Sequence, residues 1–241
     1  MKFIGIIPAR YASTRFPGKP LALIHGKQMI QVVYEHVSQS ALDDVAVATD
    51  DERIATCVQQ FGGKVVMTKP THPSGTDRCG EAALLLQLHD DDVIVNIQGD
   101  EPGISAKEIN LLTKQFDNPD VNIATLVKPF DNTADAQNPN KVKAVLDSNH
   151  KALYFSRLPI PFVREPKEAC PTYYQHLGIY AYRNKTLKAL IQLTPSSLEK
   201  SEKLEQLRWL ENGYDIYTAV CDYNGLGIDT PEDLERYNSL K

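Results

Sequence analysis

The chain has 241 residues, of which 42% are hydrophobic and 24% charged, a balance typical of one globular domain with a full core. Its net charge of −5 argues against a general nucleic-acid surface, because such surfaces need a strong basic excess. No apolar run approaches the roughly 18 residues of a membrane span, and no signal pattern precedes the first strand. We therefore expect a cytoplasmic protein without membrane insertion, folded as a single domain over 1–241.

Short apolar runs alternate with helical patterns along the first half of the chain. Strands rich in Val and Ile, separated by helices of about three turns, are typical of βαβ units with right-handed crossovers. This rhythm predicts an α/β fold with a Rossmann-like, doubly wound and mostly parallel sheet. The predicted strands are 3–8, 45–49, 64–67, 93–97 and 121–127, and the predicted helices lie near 28–39, 51–61, 78–89 and 105–117.

The first strand runs directly into a loop that carries three cations, Arg10, Arg15 and Lys19. Ligands of open parallel sheets bind at the carboxyl ends of the strands, so this loop predicts a site for a polyanion, which we expect to be a nucleoside triphosphate. Neither the G-x-G-x-x-G pattern nor the G-x-x-x-x-G-K-[ST] pattern is present. Their absence disfavours a dinucleotide-binding protein and a P-loop hydrolase.

Two acidic segments follow later strand-like runs. The run VIVNIQGDEPG ends in Asp100 and Glu101, and GLGIDTPEDL contains Asp229. Carboxylates beside a triphosphate would repel it unless a divalent cation lay between them, and Mg²⁺ takes one or two carboxylates plus phosphate oxygens. The alternatives are a solvated turn for the first segment and a simple helix cap for Asp229, with Thr230 as the other candidate cap.

The segment THPSGTDR, residues 71–78, is a polar loop that leads into a predicted helix. Its Ser74 and Arg78 can hydrogen-bond a nucleotide base. Alternatively, the segment is a turn with a helix cap, and Arg78 is a surface residue paired to Asp77 or Glu81. The pattern leaves both interpretations open.

After residue 128 the rhythm changes, which indicates an inserted region over 130–195 with strands at 142–147, 152–156 and 176–183. Such a region can cap the site or form a subunit contact. Ser196 and Glu199 form a capping-box pattern that predicts a helix over 197–213, ended by Gly213. The four cysteines are widely spaced with no C-x-x-C pair, so we expect reduced thiols.

Taken together, these segments resemble the CMP-Kdo synthetases, the 3-deoxy-manno-octulosonate cytidylyltransferases of the nucleotidyltransferase superfamily. The resemblance runs nearly end to end and rests on eight blocks in family order. The blocks are PARYASTRFPGKPL, THPSGTDR, NIQGDEP, NPNKVKAVLD, ALYFSRLPIP, HLGIYAYR, SLEKSEKLEQLRWLENG and GIDTPEDL.

The resemblance implies a nucleotidyltransferase-type fold whose inserted region serves sugar binding and dimerisation. It also implies a reaction of CTP with 3-deoxy-D-manno-octulosonate (Kdo) that gives CMP-Kdo and pyrophosphate for lipopolysaccharide biosynthesis, and a homodimer with its contact in 150–190. The implied catalytic residues are Arg10, Lys19, Asp100 and Asp229, of which the two aspartates would hold Mg²⁺. Nucleotide contacts are implied for Pro8, Ala9, Arg10, Ser13, Arg15, Lys19, Ser74, Arg78 and Gln98. Contacts to the sugar acid are implied for Gln98, Arg157, His176, Tyr180, Glu205 and Gln206.

Three rival functions stay open from the sequence. The nearest is a cytidylyltransferase for another acidic sugar, such as sialic acid or an amino-substituted relative of Kdo. A catalytically silent nucleotide-binding protein would bind CTP without releasing pyrophosphate. A dehydrogenase is disfavoured by the missing glycine fingerprint.

Overall fold

The computed structural model describes residues 1–12, 16–165, 171–223, 225 and 227–239, and its strands follow the predicted alternation. All five strands predicted in the first half are present. The strands are β1 Phe3–Ala9, β2 Leu23–Ile24, β3 Lys27–Gln28, β4 Asp44–Thr49, β5 Val65–Met67, β6 Val93–Asn96, β7 Ile123–Pro129, β8 Lys143–Leu146, β9 Ala152–Ser156, β10 Tyr174–Arg183 and β11 Tyr217–Val220.

The helices also follow the predicted order, but several ends are shifted, and the third helix ends at Leu85 rather than near residue 89. The third helix begins at Gly75 rather than near residue 78, because the Ser74 side chain caps it. The fourth stops at Thr113 and continues as a 3-10 turn over Lys114–Asp117. The helices are α1 Met29–Val37, α2 Glu52–Gln60, α3 Gly75–Leu85, α4 Ala106–Thr113, α5 Asn184–Leu190, α6 Ser197–Glu202, α7 Gln206–Glu211 and α8 Pro231–Ser239.

The main sheet has the strand order β11-β7-β10-β6-β1-β4-β5, with β8 and β9 paired beside β10. β1 is parallel to β4 and β6, β4 to β5, and β7 to β11, whereas β10 runs antiparallel between β6 and β7. The predicted doubly wound, mostly parallel fold is therefore confirmed. The break in rhythm after residue 128 corresponds to the β8–β9 pair and the reversed β10. The assignment of 130–195 to sugar binding and dimerisation stays a prediction.

Alternate residues of the central strands enter two separate cores, as the two-residue period of a strand requires. Ile7 and Val95 belong to one core, and their neighbours Ile6 and Ile94 belong to the other, which also contains Trp209. All five are buried. Because both faces are covered, the ends of the parallel strands are where the sheet meets solvent and can present side chains to a ligand.

The predicted helix over 197–213 is wrong in one respect, because it is two helices. Ser196 forms the predicted capping box with Glu199, but Lys203 adopts a left-handed conformation (φ +55°) and separates α6 from α7. The carbonyls of Glu202 and Lys203, which a continuous helix would pair with later amides, instead accept hydrogen bonds from the Arg157 guanidinium. A tertiary contact thus interrupts a segment whose local pattern is helical.

Two further expectations concern cysteines and membrane spans. Cys57, Cys79 and Cys221 are free and buried, and Cys170 lies outside the described residues. Among the helices of the described ranges, none combines the length and the apolar character that crossing a bilayer requires.

Candidate active site

A cleft opens at the carboxyl ends of β1 and β6, where the predicted phosphate loop, the 71–78 segment and the acidic segments meet. Its walls also include His72, Pro73 and Gly99. Ser13 and Arg15 lie outside the described residues. The predicted residues that line the cleft are Pro8, Ala9, Arg10, Lys19, Ser74, Arg78, Gln98, Asp100 and Asp229.

The ammonium group of Lys19 joins the two aspartates that the sequence places 129 positions apart. Its Nζ lies 2.5 Å from Asp100 Oδ2 and 3.5 Å from Asp229 Oδ1, and it donates a 2.9 Å hydrogen bond to the Ile228 carbonyl. The Ile228 amide in turn donates to the Asp100 carbonyl at 2.9 Å. The Lys19 side chain is only 12% exposed, whereas those of Asp100 and Asp229 are 34% and 51% exposed, so the two carboxylates stay accessible from the cleft.

These two carboxylates suit a divalent cation. The Lys19 ammonium group pairs with both of them, so a positive charge is stabilised between the two carboxylates. Within the described residues, no group of three or more His, Cys, Asp or Glu side chains is arranged to hold a metal. Mg²⁺ commonly takes one or two carboxylates and completes its shell with water and phosphate oxygens, so Asp100 and Asp229 fit that pattern.

Thr230, rather than Asp229, caps α8. The amide of Asp233 donates to Thr230 Oγ1 at 3.2 Å, and the Asp233 carboxylate accepts from the Thr230 amide at 2.9 Å. The Asp229 amide also donates to Asp233, while the Asp229 carboxylate faces Lys19. The alternative in which Asp229 serves as the helix cap is therefore wrong.

Two glycines bring backbone close to Pro8 at the floor of the cleft. A Cβ atom at Gly99 would lie 3.3 Å from the Pro8 carbonyl oxygen, and one at Gly75 would lie 3.2 Å from Pro8 Cγ. Larger residues at either position would push the three segments apart. The two glycines thus let the segments after β6 and before α3 approach the end of β1 closely, without side chains of their own between them.

Arg78 is buried, with 4% of its surface exposed, although it lines the cleft. Its guanidinium lies 3.0 Å from Asp50 Oδ1 and donates a 2.6 Å hydrogen bond to Thr68 Oγ1. The alternative of a surface residue paired to Asp77 or Glu81 is wrong, because Glu81 instead pairs with His72 at 2.5 Å. Asp50 and Thr68 fix the direction in which Arg78 presents its remaining donors.

Glu101 differs from its neighbour Asp100 because its hydrogen-bond partner is Tyr223 and not Lys19. Its Oε2 accepts a 2.8 Å hydrogen bond from the Tyr223 hydroxyl. Burial, reinforced by the charges of Asp100 and Asp229, raises the pKa of Glu101 to about 7. Glu101 thus ties the segment after β6 to the segment before Asp229.

A second cluster of predicted residues adjoins the cleft through Glu205. Its carboxylate accepts hydrogen bonds from Thr76 Oγ1 at 2.7 Å and from Ser74 Oγ at 3.1 Å. Burial raises the pKa of Glu205, while Thr76 and Arg208 oppose that shift. The structure therefore connects a predicted sugar contact with a predicted nucleotide contact.

Aromatic side chains form the wall beside Glu205. Tyr180 packs edge-to-face on Trp209 with ring centroids 5.0 Å apart. The Nε1 of Trp209 and the Nε2 of the buried Gln206 have no hydrogen-bond partner among the described residues. Such buried donors are uncommon in proteins and suit a ligand rich in oxygen acceptors.

His176 is a neutral side chain. The Thr125 hydroxyl donates its one proton to the Ile179 carbonyl at 2.7 Å. In its 3.1 Å contact with His176 Nε2, the same hydroxyl oxygen is therefore the acceptor, and the histidine carries its proton on Nε2. Nδ1 is then an acceptor. Burial lowers the pKa of His176 to about 3, which excludes a cationic role near neutral pH.

Arg157 is outside the set of cleft-lining side chains. Its guanidinium donates to the carbonyls of Glu202 at 2.7 Å, Pro139 at 3.0 Å and Lys203 at 3.4 Å. These bonds hold the loop before β8 against the junction between α6 and α7. A contact between Arg157 and the sugar carboxylate stays a prediction, and any substitution there will also disturb this junction.

Sequence reasoning missed three side chains that support the site, namely Asp50, His72 and Thr76. His72 and Thr76 lie inside the 71–78 segment, so their neighbourhood was a signal that could have found them. Asp50 directly follows the predicted strand 45–49, which was a signal as well, but its ion pair with Arg78 depends on the packing of α3 against β4.

Comparisons with known proteins agree on one family. Residues 4–216 match the profile of a family described as cytidylyltransferase. The 3-deoxy-manno-octulosonate cytidylyltransferase of Bacteroides thetaiotaomicron is 56% identical over 98% of this chain and 96% of its own. The 8-amino-3,8-dideoxy-manno-octulosonate cytidylyltransferase of a Shewanella strain is 49% identical over 98% and 97%. A solved CMP:2-keto-3-deoxy-manno-octonic acid synthetase complexed with CTP superposes with a TM-score of 0.94 at 44% identity, covering 100% of this chain and 98% of that one.

The lowered pKa of His176 predicts a specific effect on acid stability. In the folded protein His176 stays neutral down to about pH 3, whereas in the unfolded chain its pKa returns to the ordinary value near 6.5. Between pH 6.5 and pH 3 the unfolded state therefore binds one proton that the folded state does not bind. The free energy of unfolding should fall as pH decreases from 6.5 to 3. His176→Gln should reduce the proton uptake on unfolding in this window by about one.

Urea denaturation at a series of pH values measures this slope. His89→Gln, at an exposed histidine, is the control. Equal slopes for His176→Gln and wild type would show that His176 titrates normally in the folded protein.

Proposed function

The chain belongs to the 3-deoxy-manno-octulosonate cytidylyltransferase family, and we propose that it transfers CMP from CTP to Kdo with release of pyrophosphate. The observation that supports this proposal most directly is the convergence of Lys19, Asp100 and Asp229 at a cleft that Arg10 and Arg78 also line. The cleft offers cations for a triphosphate and carboxylates for a divalent ion in the same place.

Cytosine recognition would use the base of the cleft. Cytosine presents acceptors at O2 and N3 and one amino donor. Arg78, held by Asp50 and Thr68, would donate to the acceptors, and main-chain carbonyls near Pro8 and Ala9 would accept from the amino group. Ser74 lies at the start of α3, where its hydroxyl can add a further contact.

The transfer is a single displacement at the α-phosphorus. The anomeric oxygen of the sugar forms a bond to that phosphorus, the bond to the bridging oxygen breaks, and pyrophosphate leaves with the electron pair while the hydroxyl proton passes to solvent. Arg10, which is exposed at the end of β1, and Lys19 would bind the phosphate chain and stabilise charge on the leaving group. Gln98, which also lines the cleft, would lie where the two substrates approach each other.

We propose that Asp100 and Asp229 hold Mg²⁺. When bound, this ion neutralises phosphate charge and polarises the phosphorus that is attacked. The two aspartates contribute the fixed negative charge, and Lys19 orients them through its ion pairs.

The sugar acid would lie against β10 and the start of α7. The buried pair Tyr180 and Trp209 would lie behind the sugar, with Gln206 as a donor and His176 as an acceptor at Nδ1. This mixture suits a polyhydroxylated ring. The Shewanella relative supports a second candidate, an 8-amino-substituted Kdo, because its identity to this chain is nearly as high.

We also propose that the protein acts in the cytoplasm, where CTP is available, and that its product supplies lipopolysaccharide biosynthesis. The three described cysteines are free thiols, which fits a reducing compartment.

A homodimer is the final part of the proposal. Leu153, Leu158 and Phe162 are 60%, 70% and 87% exposed and lie within ten residues of one another in the chain. Exposed apolar groups of this kind favour burial against another surface, and a second copy is the partner that the family resemblance implies.

Pyrophosphate release in the presence of CTP and Mg²⁺ tests the reaction. We expect release with Kdo, and its loss on chelation of the metal and return on addition of Mg²⁺. The sugars tested should also include 8-amino-3,8-dideoxy-manno-octulosonate and sialic acid. The sugar with the highest kcat/KM is the preferred substrate. CTP binding without release for every sugar would favour a silent nucleotide-binding protein.

Asp100→Asn should lower kcat by about a hundredfold or more, because it removes a charge beside Lys19 while keeping the shape of the side chain. Thermal melting should show that the variant folds. The matched control is Asp91→Asn, an exposed position that precedes β6 as Asp100 follows it. Near wild-type turnover of folded Asp100→Asn would remove Asp100 from the reaction.

Phe162→Glu should convert the dimer into a monomer, because the free energy needed to bury an unpaired carboxylate in the interface exceeds the stabilisation that the remaining apolar contact provides. Sedimentation equilibrium gives the mass directly. Leu84→Glu is the control, since Leu84 is also exposed, at 68%, but lies on α3. A monomeric wild-type protein would refute the dimer, and a dimeric Phe162→Glu would move the contact elsewhere.

A further inference from the structure

We propose that Thr76 is a positioning residue that sets the carboxylate of Glu205 and thereby couples the nucleotide side of the cleft to the sugar side. The inference rests on the proposed function, because it takes Glu205 as part of the sugar pocket. Thr76 itself is buried, with 5% exposed, and lies in the first turn of α3 between Ser74 and Arg78.

The first step is that Glu205 depends on Thr76 for its shortest hydrogen bond. Thr76 Oγ1 donates to Glu205 Oε2 at 2.7 Å. The Ser74 hydroxyl has one proton and two carboxylate neighbours, Asp77 at 2.6 Å and Glu205 at 3.1 Å, so the shorter bond takes it. Ser74 is therefore a weak donor to Glu205.

Arg208 does not replace Thr76. Its guanidinium makes a two-pronged pair with Glu199, through Nε at 2.9 Å and Nη2 at 2.8 Å, and reaches Glu205 only at 3.4 Å. Thr76 is thus the partner that fixes the orientation of this largely buried carboxylate.

The second step is that Thr76 belongs to the segment that would read the base. Ser74 and Arg78 line the nucleotide cleft, and Thr76 lies between them on the same first turn. Glu205 immediately precedes α7, whose first residue, Gln206, has a buried amide nitrogen with no partner among the described residues. A ligand that orders the turn 74–78 therefore also orders the first residues of α7.

The chemical consequence is a shift in sugar affinity without a change in base recognition. Without the Thr76 hydroxyl, the Glu205 carboxylate keeps only its longer contacts and loses a defined orientation. A hydrogen bond to a charged group contributes enough that its loss should weaken sugar binding about tenfold or more.

The test compares Thr76→Val, which keeps the shape and removes the hydroxyl, with Thr76→Ser, which keeps the hydroxyl. We expect Thr76→Val to raise the KM for Kdo about tenfold or more, while the Kd for CTP, measured by calorimetry without sugar, stays within about twofold of wild type. Thr76→Ser should restore most of the KM. Because a purely structural role would weaken CTP and Kdo together, this split identifies a positioning role.

Thr186→Val is the matched control, since Thr186 is a buried threonine on α5, at the opposite end of the sheet. Melting temperatures show whether each variant folds. An unchanged KM for Kdo in Thr76→Val, an equal loss of CTP affinity, or failure of Thr76→Ser to restore the KM would each overturn the inference. A wild-type protein that releases no pyrophosphate from CTP with Kdo would instead overturn the proposed function, so the two failures are distinguishable.

Discussion

The ion pairs of Lys19 with Asp100 and Asp229 are the interaction on which the rest of the site depends. They join three segments that are distant in the chain, and the hydrogen bond of Lys19 to the Ile228 carbonyl holds the last segment in register. Two carboxylates brought together without a cation would repel each other, and partial burial would strengthen that repulsion. Under the proposed function, a triphosphate and a divalent cation enter together, so the net charge of the cleft changes less than it would if either bound alone.

The charged side chains of the cleft are held by side chains from other elements. Asp50 and Thr68 hold Arg78, and Glu101 holds Tyr223, which precedes the segment of Asp229. Such support reduces the conformational freedom that a ligand must remove on binding, and it aims charges before the substrate arrives. The adjacent acids Asp100 and Glu101 have different environments. Asp100 pairs with Lys19, whereas burial raises the pKa of Glu101 to about 7.

Much of the fold and part of the candidate site could be predicted from local pattern. The alternation of strands and helices follows from the pattern of apolar residues along the chain, so it can be predicted from the sequence. Because ligands bind at the carboxyl ends of parallel strands, the cationic loop and Asp100 could be predicted as site residues as well. The break at Lys203 was not visible, because Arg157 takes the carbonyls of a segment that is helical by pattern. The burial of Arg78 likewise depends on Asp50, which the packing of α3 against β4 brings beside it. Contacts between distant segments are what single-sequence reasoning lacks.

The cluster around Glu205 shows where stability and function separate. Gln206 Nε2 and Trp209 Nε1 are buried donors without a partner among the described residues, and an unsatisfied buried donor costs about 1–3 kcal/mol. Apolar side chains of similar size would pack there without that cost. Under the proposed function, these donors lie beside His176 and Glu205 so that a bound sugar can supply the missing acceptors. The hydroxyl and carboxylate oxygens of the proposed sugar acid would accept from these donors, whereas an apolar ligand would leave them unsatisfied.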